Sequence, residues 1–248
     1  MILFLLACVL SLVPYTALYL WLRGLSAEKD GYRELCKYAL MRGVRCVLPV
    51  ILISATLHIL LNLSGIQSRS PLLHMALYNF IVLALSEEFS KYMSFRRVLK
   101  DTDHPCSWLD AAVLMTIVGT GFGFLEALIY TVGASIPVVL VRGICLPHSG
   151  YGFVVGYFYG KACKTGRPGL KWLGLVLVWF MHGLYDFSLS EEFLAISENL
   201  VFIPLLLAAL DIAFVIALIR FVKKAKKDEI YTESLFERVE TAETSEPA

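Results

Sequence analysis

Six cysteines (Cys8, Cys36, Cys46, Cys106, Cys145 and Cys163) form no C-x-x-C pair and no zinc-ligand spacing. No disulfide framework is implied, and free thiols are expected. The formal net charge is only +1, so overall charge points to no partner, and no nucleic acid is expected among them. The apolar stretch Met1–Leu22 lacks a basic leading region and an evident small-residue cleavage site. A retained first helix is therefore expected rather than a signal peptide. No inverted repeat relates the two halves of the chain, which removes the usual mark of a secondary transporter.

What is present is apolar. Hydrophobic residues make up 58% of the 248 positions, and the mean hydropathy is +0.69. Several segments reach the ~20 residues that span a bilayer. The expected fold is all-α, a polytopic membrane helix bundle of about seven transmembrane helices over residues 1–222. The length leaves no room for a separate soluble domain. The spans are read as Met1–Leu22, Val44–Leu63, Leu72–Val98, Trp108–Tyr130, Pro137–Gly160, Trp172–Leu189 and Leu200–Val222.

Basic residues cluster on every second connection. They fall in the loop Arg23–Arg45, at Arg96, Arg97 and Lys100, from Lys161 to Lys171, and from Lys223 to Lys227. The positive-inside rule then predicts a multi-pass protein of the cell membrane, N-terminus outside and C-terminus cytoplasmic. Residues 223–248 form the cytoplasmic tail, acidic from Asp228 onward and expected to be disordered. Gly152, Gly156 and Gly160 recur every fourth residue, and Gly119, Gly121 and Gly123 cluster on the preceding span. Small residues of this kind let helices approach closely in lipid.

The stretch Ser86-Glu87-Glu88-Phe89-Ser90-Lys91 interrupts this apolar pattern. Each charge there costs ~2.5–3.5 kcal/mol on the insertion scale. On a helix, Lys91 reaches Glu88 three residues back and Glu87 four back, while the adjacent glutamates diverge by about 100°. Ser190-Glu191-Glu192-Phe193 repeats the first four residues with no lysine following, and an exposed loop is expected for it. The spans also carry Glu126, Arg142, His148, His182 and Asp186, with His58 read as structural. His182 and Asp186 are four apart and share a face, a spacing that suits a carboxylate orienting an imidazole or two ligands on one metal. Phe122 and Glu126 have the same relation. Since none of these groups faces lipid cheaply, they are expected to converge on one interior site.

Taken together, Glu87-Glu88-x-x-Lys91, Phe122-x-x-x-Glu126, His148 ahead of a glycine-spaced helix, and His182-x-x-x-Asp186 resemble the PrsW family of intramembrane proteases. That family is related to the CPBP group, which includes the CAAX-processing endopeptidases. The resemblance covers roughly residues 70–190. It implies an endopeptidase that cuts a membrane-protein substrate at or near the bilayer, by likeness a single-span anti-sigma factor. Its implied catalytic residues are Glu87, Glu88, Glu126, His148, His182 and Asp186, supported by Lys91 and Phe122. The CAAX-type relatives carry histidine and asparagine where Glu126 and Asp186 stand here.

Peptide hydrolysis needs an activated water and a stabilised oxyanion. Glu87 or Glu88 would be the general base, the other pairing with Lys91. His182, held by Asp186, would donate to the oxyanion or bind metal. His148 is a second donor or ligand, and Glu126 a water-positioning acid or a further ligand. The cofactor stays open: a zinc ion on His148, His182 and Glu126, or a glutamate-activated water with no metal. The other function classes are a transporter with a proton or ion relay, and a non-catalytic member of the same fold.

Overall fold

A computed structural model describes residues 2–26, 31–102, 107–130 and 143–227. Its helices are α1 (Ile2–Arg23), α2 (Tyr32–Arg45), α3 (Val47–Leu63), α4 (Ile66–Arg69), α5 (Pro71–Leu77), α6 (Ser86–Asp101), α7 (Trp108–Tyr130), α8 (Pro147–Thr165), α9 (Gly169–Ser188), α10 (Glu191–Leu194) and α11 (Phe202–Lys227). A π-helical segment, Tyr78–Leu85, joins α5 to α6, and a 3-10 turn, Glu198–Val201, leads into α11. Among the described residues there is no strand.

Helix α7 is the axis of the bundle. It is buried without interruption from Leu109 to Gly123, because other helices cover all its faces. A helix that is apolar all round belongs in such a position. Its seam with α8 is built from glycines. A methyl group on Gly152 would lie 2.5 Å from the Met115 carbonyl oxygen, and one on Gly156 only 2.3 Å from that of Ala111. Gly160 would meet the Trp108 Cα at 2.6 Å, and Gly119 the His148 carbonyl oxygen at 2.1 Å. The first predicted glycine cluster and Gly119 of the second thus lie in this interface, where backbones touch directly, while Gly123 faces the Tyr15 ring of α1. Leu146, just ahead of α8, has the one positive φ of any non-glycine residue described, 51°. This left-handed residue caps the start of α8, which carries His148 in its first turn.

The second helix departs from the sequence reading. Arg23–Arg45 was expected as a cytoplasmic loop, yet Tyr32–Arg45 is helical and buries Tyr32, Leu35, Cys36, Ala39 and Gly43. That i, i+3, i+4, i+7 stripe faces α7 while Arg33, Lys37 and Arg45 stay exposed. The basic residues that suggested a loop are the outer face of an amphipathic helix. Gly43 packs with its Cβ position 2.1 Å from the Val118 carbonyl oxygen, and Gly121 faces that of Leu40 at 2.2 Å. Ser190–Phe193 is also not an irregular loop. Ser190 caps α10 by accepting the Phe193 N–H at 3.3 Å. Helix α11 runs on through Lys227, so the first part of the expected tail is helical. Residues 228–248 lie outside the described residues, as do Arg142, Cys106 and the start of the expected fifth span.

Among the described residues, four stretches are long and apolar enough to cross a membrane: Tyr32–Leu63, Pro71–Asp101, Trp108–Tyr130 and Asn199–Ala225. Cys8–Arg23 is a shorter apolar helix. The expectation of about seven exceeds this. Helices α8 and α9 carry the histidines, glycines and Asp186, and these residues lower their hydropathy. Apolar side chains on α3, α9 and α11, among them Leu48, Phe180 and Leu206, point outward, as lipid-facing residues do.

The Gly119 contact generates a test. Gly119→Ala should lower stability by about 1–3 kcal/mol through overpacking. Gly169→Ala, with nothing within 4 Å of its Cβ position, should change it by less than about 0.5 kcal/mol. Thermal unfolding of the detergent-solubilised protein, followed by tryptophan fluorescence, compares the two.

Candidate active site

Four helices bring the predicted polar residues together. Helix α6 supplies Glu87, Glu88 and Lys91, α7 supplies Phe122 and Glu126, α8 supplies His148, and α9 supplies His182 and Asp186. Glu87, Glu88, Lys91, His148 and His182 are all buried.

Lys91 is central. Its Nζ donates to Glu88 Oε1 at 2.6 Å and to His148 Nδ1 at 2.8 Å, and lies 4.0 Å from Glu87 Oε2. It also sits over the Phe122 ring, 4.6 Å from the centroid, a cation–π contact that suits a desolvated ammonium. This explains the role of Phe122, whose ring also meets that of His148 edge-on at 4.9 Å. An ammonium has only hydrogens to offer, so His148 Nδ1 accepts and its proton sits on Nε2. That Nε2–H faces Glu126 Oε2 in a short hydrogen bond. Glu126 thus fixes the tautomer of His148.

The second histidine is held differently. His182 Nδ1 meets Glu88 Oε1 at 2.7 Å, and Nε2 lies 3.2 Å from Asp186 Oδ2. The predicted His182–Asp186 relation on one helix face is present. Glu88 Oε1 therefore takes two donors, from Lys91 and from His182, which fastens α6 to α9.

The adjacent glutamates are not equivalent. Glu88 is locked by Lys91 and His182. Glu87 keeps looser company: its Oε2 lies 3.8 Å from His182 Nε2 and 4.0 Å from His148 Nδ1. The Oε2 atoms of both glutamates are buried without a hydrogen-bond partner, an expensive condition unless something else binds there. Ligand atoms of Glu87, Glu88, His148 and His182 all lie within 4.8 Å of one another. Two imidazoles and carboxylate oxygens are zinc-type donors, so these residues fit a divalent cation. Glu126 is not in this group; it faces the far nitrogen of His148.

Residues 17–210, which include every one of these side chains, match the profile of the PrsW family of intramembrane metalloproteases. The chain belongs to the PrsW family. Among its relatives is Protease PrsW of Geobacillus kaustophilus, 30% identical over 155 residues that make up 60% of this chain and 64% of the relative. Protease PrsW of Oceanobacillus iheyensis is 27% identical over 153 residues, 60% of this chain and 66% of its own. That of Bacillus subtilis is 36% identical over 87 residues, 33% and 39% of the two chains. The chain thus spans just under two thirds of the first two relatives and well under half of the third. No solved structure matches.

Two side chains near this PrsW-family site escaped the sequence reading. Tyr151, one turn after His148, packs its ring 5.4 Å from that of His182. Asp211, on α11, is fully buried. The i, i+3 spacing from His148 could have flagged Tyr151, and a lone acid inside an apolar span is a functional signal in its own right. His58 lies against Tyr78, with ring centroids 4.8 Å apart, and is not among the grouped ligand atoms.

Removing the ammonium should expose its role. Lys91→Met leaves Glu88 buried with its charge uncompensated, and should cost about 3–5 kcal/mol of stability. Adding Glu88→Gln should recover most of that loss. Denaturant titration of the single and double variants reads this directly, and a double variant as unstable as Lys91→Met would show that the ion pair is not the cause.

Proposed function

We propose that this chain is an intramembrane endopeptidase that hydrolyses a peptide bond in a membrane-protein substrate. The observation that carries this reading is the convergence of Glu87, Glu88, Lys91, Glu126, His148, His182 and Asp186 from four helices into one buried cluster. Membership of the PrsW family supports it. The substrate class that best suits the reading is a single-span protein of anti-sigma type, as the resemblance of the motifs implied. The accompanying topology is a cell-membrane bundle of about seven spans, N-terminus outside and C-terminus cytoplasmic.

In this mechanism Glu87 is the general base. Its Oε2 accepts no hydrogen bond and has only ion-pair neighbours at 3.8–4.0 Å, whereas Glu88 is fastened through Oε1 by Lys91 and His182. Water attacks the scissile carbonyl carbon as Glu87 takes one of its protons. His182 Nε2, oriented by Asp186, donates to the oxyanion that develops. Glu87 then delivers its proton to the departing amine as the C–N bond breaks. Glu88 holds the His182 ring through Nδ1, and Glu126 holds His148 through Nε2, so both imidazoles are fixed before substrate arrives. In a metal-bound form these roles would change: His148, His182 and Glu88 would hold a zinc-type cation, each imidazole giving up one of its present hydrogen bonds to do so, and the cation would supply Lewis-acid polarisation of the water.

Two measurements test this. In liposomes carrying a panel of single-span membrane proteins, wild type should cleave at least one, and Glu87→Gln should cleave it about 10²–10⁴-fold more slowly. Equal rates would remove Glu87 from the chemistry. Elemental analysis of the purified protein should find about one zinc per chain, lost in His182→Ala. Metal content unchanged by that substitution would remove His182 from the ligand set.

A further inference from the structure

A fifth helix reaches the cluster. Helix α11 presents Asp211, whose carboxylate is buried with neither oxygen hydrogen-bonded. Opposite it, the Tyr151 hydroxyl of α8 is likewise buried and without a hydrogen bond. The two groups interact with each other, and Asp211 also feels the charge of His182. The helices are pressed together here: a methyl group on Gly150 would lie 3.2 Å from the Asp211 carbonyl oxygen and 3.1 Å from Phe214 Cβ.

Tyr151 packs against both site histidines, whose own rings lie 5.3 Å apart. Its ring lies 5.4 Å from that of His182, and 6.3 Å from that of His148 at 85°. A carboxylate at full burial on the most apolar span of the chain is costly. An apolar residue of similar size would pack without that cost. The family match ends at residue 210, one position short of Asp211, while Tyr151 lies within it.

We propose that Asp211 and Tyr151 are a positioning pair for His182. Asp211 accepts a hydrogen bond from the Tyr151 hydroxyl through one buried water. This fixes the tyrosine ring as the wall against which the His182 imidazole is held. Glu88 and Asp186 set the two ring nitrogens of His182, and Tyr151 sets the plane of the ring. The last helix is thereby tied to the chemistry without touching substrate. The inference rests on the proposed proteolytic reading for its kinetic consequence, not for its structural one.

The test uses full-length protein labelled with ¹⁵N-histidine in nanodiscs, as wild type, Tyr151→Phe, Asp211→Asn and the double variant. Both substitutions keep side-chain size, so the fold should survive. Each single variant should shift the His182 ring resonances while those of His58 and His74 stay in place. The double variant should match the singles, because either change breaks the same link. Unmoved His182 resonances, or shifts that add in the double variant, would overturn the pairing. With a cleavable substrate in hand, each variant should lose about 10- to 100-fold in kcat at unchanged KM, the usual effect of removing a supporting partner. A moved His182 with unchanged kcat would overturn the positioning role. A wild type that cleaves nothing would count against the proteolytic reading, and the resonances would still decide whether the pair exists.

Discussion

A buried ammonium makes the interior of this bundle possible. Two adjacent glutamates in an apolar helix could not both be carried there without compensation. Lys91 provides it on the same helix, with its Nζ 2.6 Å from Glu88 and 4.0 Å from Glu87. The aromatic face of Phe122 accepts the remaining side of the cation. Once Lys91 is placed, the donor and acceptor roles of His148 follow, and those in turn give Glu126 its function. The site is a chain of dependencies that starts from one charge.

That chain holds only if the helices are close and fixed. The glycine seam between α7 and α8 brings His148 against α7 at backbone contact, so its imidazole cannot slide relative to Glu126. On the other side, Glu88 receives His182 and ties α9 to α6. The bundle therefore combines an apolar, close-packed half with a polar, hydrogen-bonded half, and the two meet at His148.

Much of the site was legible because burying charge in a membrane is expensive, so each ionisable residue in an apolar run announces itself. The i, i+3 and i, i+4 relations around Lys91 and between His182 and Asp186 needed only helical geometry. Pairings across helices were not legible. No spacing rule says that Lys91 reaches His148, 57 positions away, or that Glu126 meets the far nitrogen of that same ring. Hydropathy misread Tyr32–Arg45, since a basic amphipathic helix and a basic loop have the same average, and only the stripe of Tyr32, Leu35, Cys36 and Ala39 separates them. Hydropathy also carries less weight on α8 and α9, because the residues that build the site make them less apolar than their neighbours.

The π-helical turns of Tyr78–Leu85 matter for the angular register of the whole helix. A π segment holds extra residues per turn, so the side chains before it and after it follow two different phases. The carbonyl of Phe80, inside this segment, accepts from the Trp179 indole N–H at 2.6 Å, which anchors the change of phase to α9. The part of the helix before the π segment can thus turn one face to its surroundings while Glu87 and Glu88 turn inward. Losing a single residue from this segment would swing the two glutamates by about 100° relative to everything before them. One continuous rod thereby acts as two independently aimed halves.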